Sequence, residues 1–242
     1  QNSLDTGDSF YIRNADIITI TIGGNDMMDA LYAFLAAKYN GQYSTDWTAD
    51  DVKNIITDKT HENYNDLLNV ALFNISSFPS SDEAQNKAEE VGNNLKEALK
   101  KIKNMNSKGT VIVANQYNPY TYAANNTSDT TMMLFAPIIE SAFEGGIALL
   151  NTEIKNAVDA NGCILANVYT AFQGATENPS CASFASQDDI NLDFHPNAYG
   201  HGIIANTLKQ YFGPVATGYT LTVENGTAYG STSGNFVNGS SV

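Results

Sequence analysis

Two polar stretches far apart in the chain hold the side chains best suited to chemistry. Near the amino end, the branched apolar run 17–22 closes on Gly23, Gly24, Asn25 and Asp26. The glycines permit a sharp turn and close backbone approach, and Asp26 suits the positive end of a following helix. Asn25 is then free to donate its carboxamide N–H to an oxyanion, an interaction worth roughly 3 kcal/mol at sites of that kind. Toward the other end, in "LDFHPNAYGHGIIANTL", His195 precedes a proline that fits the first position of a helix, and Asp193 stands two residues earlier. That is the pattern of a general base oriented by a carboxylate. Tyr117 and Asn118, in "VIVANQYNPY", follow the second of three apolar runs and are placed to line a substrate cleft. Each motif also has a purely structural reading: a strand-to-helix turn, a capping histidine, a proline-directed turn with packed tyrosines.

These side chains act together only if the elements carrying them end at one edge. Residues 17–22, 110–115 ("TVIVAN") and 164–168 ("ILANV") are short, apolar and rich in branched residues, as expected of buried parallel strands. Helical periodicity fills the intervals. The clearest case starts at Ser80, where Ser80 and Glu83 have capping-box spacing, and puts Ala84, Ala88, Val91, Leu95, Leu99 and Ile102 on one face. Further helices are expected within 27–39, 51–56, 62–75, 131–160 and 197–212. Strand, helix and strand alternate, which predicts an α/β layered sheet with polar residues at its carboxyl edge. From Pro214 onward Gly, Thr, Ser, Asn and Val dominate, so a boundary is expected there. Residues 1–213 form the main domain, and 214–242 a linker leading into a β-rich repeat.

The chain has 242 residues, and its 12 basic against 26 acidic side chains give a net charge of -14. That balance repels phosphate backbones and anionic membrane surfaces, so no nucleic-acid partner is expected. No apolar run reaches the roughly 20 residues of a membrane span. The two cysteines, Cys163 and Cys181, have no CxxC spacing and no neighbouring histidine, so no metal site is expected. A disulfide between them and a pair of free thiols both stay open.

"GGND" at 23–26 resembles the third conserved block of the SGNH (GDSL-like) hydrolases, and "DFHPNAYGH" at 193–201 resembles their fifth. The segment "VIVANQYNPY" is similar to the fourth-strand region of the bacterial branch, and the likeness runs over about residues 10–212. The resemblance implies a three-layer α/β/α, flavodoxin-like parallel sheet and ester hydrolysis through a serine, without metal or organic cofactor. It makes Asn25 an oxyanion donor and His195 the base. Many members carry the acid three residues before the histidine; here that place is Leu192, so Asp193 substitutes, with Asp188 and Asp189 in reserve.

The family's nucleophile stands in a Gly-Asp-Ser motif after the first strand. "GDSF" at 7–10 has those letters, but only eight residues, "QNSLDTGD", precede Ser9, and they are polar. The stretch after it resembles the helix end and strand leading into the third block. GDSF is therefore read as coincidence, and the amino-terminal strands with the nucleophile are expected on a missing segment of the same domain. The expected activity is hydrolysis of small-molecule or glycan esters by a secreted or surface-bound bacterial protein. The alternative is a non-catalytic carbohydrate- or surface-binding module on the same fold.

Overall fold

The computed structural model describes residues 9–186, 189–213, 219–222 and 233–236. The chain divides into two compact units, Gln1–Tyr211 and Phe212–Val242.

In the first unit, β1 (Ile17–Ile20), β2 (Thr110–Ala114) and β3 (Ile164–Ala166) form a parallel sheet in that spatial order. Ile17 pairs with Thr110 and Ile112 with Ile164. Each strand stops one or two residues before the predicted end. Asn167, for example, leaves β3 to cap a helix, accepting from the Thr170 amide. Helices α1 (Ser9–Asn14), α2 (Gly24–Tyr43), α3 (Ala49–Ile56), α4 (Tyr64–Asn74) and α5 (Asp82–Met105) precede β2. Then α6 (Thr121–Asn125) and α7 (Met132–Ala160) connect β2 to β3, and α8 (Val168–Gln173) and α9 (Ala198–Lys209) follow it.

Alternation along β2 divides its side chains between two cores. Val111 and Val113 join Leu95, Leu99, Leu150 and Ile154 of α5 and α7 in the main cluster. Ala114 packs instead with Val168, Phe172 and the α9 residues Ile203, Ile204 and Leu208. β1 is an edge strand and behaves as one: Ile18 and Ile20 lean on the main core, while Ile17 is 37 % exposed.

Several expectations shift. The cap of the long helix is Ser81, which accepts from the Ala84 amide, because Ser80 closes a 3-10 turn over Ile75–Ser80. Pro196 does not open α9; Asn197 caps it through the Gly200 amide, and Pro196 bridges to Ser180. Helix α7 is long and apolar enough to cross a membrane by length and composition, contrary to the sequence reading. Its Leu150, Ile154, Ala157 and Val158 lie in the main core, the usual place for such a helix in a layered domain. Cys163 and Cys181 are both free thiols. Cys163 leads into β3, whereas the Cys181 amide donates to the His195 carbonyl beyond the opposite end of the sheet, so the strand's length separates them. The periodicity also gave no sign of the antiparallel hairpin of β4 (Ser183–Ser186) and β5 (Asp189–Asn191).

In the second unit, β6 (Tyr219–Thr222) pairs antiparallel with β7 (Ser233–Phe236).

Candidate active site

Asn25 occupies the first turn of α2, just past the carboxyl end of β1. The turn is made by Gly23, whose φ of 100° lies in the left-handed region. A Cβ on Gly23 would also stand 2.9 Å from a Leu150 methyl, which would have to shift, so the backbone angle is what requires glycine. The Gly23 carbonyl accepts the Met27 amide, which leaves the amides of the first turn facing outward beside the Asn25 side chain. Gln116, at the exit of β2, holds this turn in place: its Nε2 donates to the Ile22 carbonyl at 2.8 Å. Gln116 is in turn held at both backbone groups by the Asn151 carboxamide of α7.

His195 lies on the connection between β5 and α9. Its Nδ1 is 2.7 Å from Asp193 Oδ1, and the same oxygen accepts the His195 amide at 3.0 Å. These hydrogen bonds keep the Asp193 carboxyl below the usual carboxylate range, the backbone one contributing most. An ionised carboxylate only accepts, so in the neutral imidazole the proton sits on Nδ1 toward Asp193 and the lone pair is on Nε2. An imidazole in that tautomer is ready to receive a proton at Nε2. Among the described residues no serine or threonine hydroxyl is hydrogen-bonded to it.

The loop carrying the dyad is fixed by its carbonyls. Tyr120 Oη donates to Leu192 O at 2.8 Å, Tyr117 Oη to Phe194 O at 3.1 Å, and the Cys181 amide to His195 O at 2.9 Å. Burial pushes both phenols well above the ordinary tyrosine range, so they remain donors at any working pH. Tyr117 also stacks on Phe172, with ring centroids 4.0 Å apart. From the other side, Asn197 Nδ2 donates to the carbonyls of Asn178 and Ser180. Gly200 lets that loop lie directly on α9, since a Cβ there would stand 2.0 Å from Pro179 O.

Asn25, Asp193 and His195 line one cavity of about 670 Å³. A smaller one of about 60 Å³ beside it is lined by Gly24, Gln116 and Tyr117, with Met28, Phe143 and Phe194 shared between the two. The structure thus brings the carboxamide, the imidazole and the carboxylate to a common space and puts Tyr117 behind the histidine. Asn118 lies apart. It is buried, its Nδ2 donates to the Glu140 carbonyl and to the Glu144 carboxylate, its Oδ1 accepts the Tyr120 amide, and neither cavity touches it. Burial first, and then the neighbouring Glu144, raise the Glu140 carboxyl above its ordinary value. Asp189 is in β5, away from His195 by contact, and Asp188 lies outside the described residues. Sequence reasoning missed Gln116 and Asn151, which meet across 35 positions of chain that local spacing does not record. Among the described residues no cluster of His, Cys, Asp and Glu is arranged to hold a metal ion.

No protein-family model matches the sequence, and no curated protein sequence matches it. Among solved structures the chain is similar to the extracellular lipase from Streptomyces rimosus, at 17 % identity and a TM-score of 0.48, over 83 % of this chain and 70 % of that one. It is also similar to phospholipase A1 from Streptomyces albidoflavus NA297, at 18 % identity and a TM-score of 0.48, over 81 % of this chain and 69 % of that one.

Proposed function

We propose that this chain is the base- and oxyanion-bearing part of a serine-dependent carboxylic ester hydrolase with the SGNH-type, flavodoxin-like layout. The observation that carries the reading is the common cavity: the Asp193-paired imidazole of His195 and the carboxamide of Asn25 both line it. His195 Nε2 takes the proton of a serine hydroxyl while the serine oxygen attacks the ester carbonyl. Asn25 and the first amides of α2 stabilise the oxyanion. Collapse expels the alcohol, which receives the proton from His195, and water repeats the sequence on the acyl-enzyme. The proposal requires no metal or organic cofactor, and it assigns the protein to a secreted or cell-surface setting in bacteria.

The nucleophile in this reading is a serine outside the described residues, on a further strand beside β1. Three features support that. Among the described residues no hydroxyl meets His195 and no strand pairs with the outer edge of β1, and Ile17 on that edge is 37 % exposed. Helix α1, which Ser9 opens, has its other end tied to the amino edge of the sheet, where Ile12 and Ala15 carbonyls accept from Asn106 Nδ2. His195 belongs to the carboxyl edge.

The test is covalent labelling of the whole natural polypeptide with a fluorophosphonate ester mimic. Modification of one serine outside residues 9–242, lost in His195→Ala, supports the reading. Labelling indifferent to His195, or ester turnover by residues 1–242 that Ser9→Ala abolishes, overturns the proposed arrangement. Glycan or surface binding with neither labelling nor turnover selects the non-catalytic alternative.

A further inference from the structure

The 670 Å³ cavity extends far beyond what Asn25 and His195 need. Exposure sorts its lining into a rim and a depth. The charged side chains, Asp29, Lys53, Lys59 and Asp193, are all exposed and therefore sit at the mouth with Asn25 and His195. Leu31, Leu35, Ala71, Ile75, Ile139 and Ile190 are between 3 % and 8 % exposed and form the interior. Of the buried tyrosines that line it, Tyr120 commits its Oη to the Leu192 carbonyl, which leaves the phenols of Tyr32 and Tyr64 as the polar groups of the interior. A ligand deep in this space meets mainly hydrocarbon, with two phenol hydroxyls among it. An acetyl group would leave nearly all of it unfilled, and a sugar would bury more hydroxyls than those two phenols can partner.

We infer that the cavity binds the acyl chain of a long-chain ester, with the carbonyl at the Asn25 and His195 end and the hydrocarbon running inward between α2, α4 and α7. This rests on the hydrolase reading for its orientation and adds the class of substrate. The interior comes from segments that the two chemical motifs do not include. Leu31 and Leu35 belong to α2, Ala71 to α4, and Ile139 to α7. Chain-length preference is thus set by residues separate from those that handle the proton.

The experiment is binding, which needs no nucleophile. The whole natural polypeptide, carrying His195→Ala so that no ester chemistry intervenes, is loaded with a fluorescent fatty acid, which is then displaced by saturated carboxylates from acetate to laurate. The expected result is an affinity that rises about fourfold with each added methylene until the cavity is filled. Affinity independent of chain length, or no displacement by any member, overturns the assignment. In Ala71→Phe the affinity should stop rising at a shorter chain; an unchanged length limit in a variant with native circular dichroism also overturns it. The two readings fail separately. Length-dependent binding in a natural polypeptide with no esterase activity removes the hydrolase and leaves the acyl site. Cleavage of acetyl esters without length-dependent binding removes the acyl site and leaves the hydrolase.

Discussion

At the scale of single residues, the site is a set of donors and one lone pair. Asn25→Ala in the whole natural polypeptide is expected to lower kcat by about 10²- to 10³-fold with little change in KM, the signature of a donor that acts on the developing oxyanion. Steady-state kinetics on a soluble ester decide it, and a rise in KM alone would make Asn25 a binding residue. The short Asp193 contacts make a second prediction. Because its carboxyl is held below the ordinary range, the stability it contributes is complete above the unfolded aspartate value of about 3.9. That contribution is lost only as pH falls through the lower, folded value. Carboxyl carbon NMR should therefore show Asp193 titrating below about 3.9, and a midpoint at or above it removes the dyad. That Asn25, His195 and Asp193 share one cavity could be anticipated because each sits in a run of turn-formers next to an apolar segment. Asn118 sat in an equally polar stretch, but its direction depends on α7, whose Glu140 and Glu144 come more than 20 positions later, and local spacing does not record such a partner.

At the scale of elements, the chain spends carboxamides to fix where the strands begin and end. Asn106 Nδ2 donates to Ile12 O and Ala15 O, while its Oδ1 accepts the amides of Lys108 and Gly109. Asn106→Ala should destabilise the first unit by about 2–4 kcal/mol, since buried groups lose partners at both faces of the amide; urea unfolding measures it. Gly200→Ala should do comparable or greater harm through the clash with Pro179 O, and it should loosen the His195 loop along with α9. The helix and strand assignments were readable because periodicities of 3.6 and 2 are local properties. Their ends were less so. Ser81 outcompetes Ser80, and Asn197 displaces Pro196, because the adjoining 3-10 turn and the Ser180 bridge decide which residue is left to cap. The β4–β5 hairpin was invisible for the same reason: its only buried apolar side chains are Phe184 and Ile190, too few to make a pattern.

At the scale of the whole molecule, the open edge of β1 and the exposed Ile17 predict self-association of residues 1–242. Sedimentation should show a concentration-dependent increase in mass that Ile17→Lys suppresses; a strictly monomeric parent chain would show that the edge is already guarded. The net charge of -14 opposes such association, so added salt should strengthen it. The single span from Gln116 to Tyr120 has a wider consequence. Its first residue grips the Ile22 carbonyl, and its tyrosines grip the carbonyls of Leu192 and Phe194. That short crossbar sets the gap between the Asn25 turn and the His195 loop. Lengthening it by one residue would detune both together, so evolution can remodel the hydrocarbon-lined chamber freely while this one measure stays fixed.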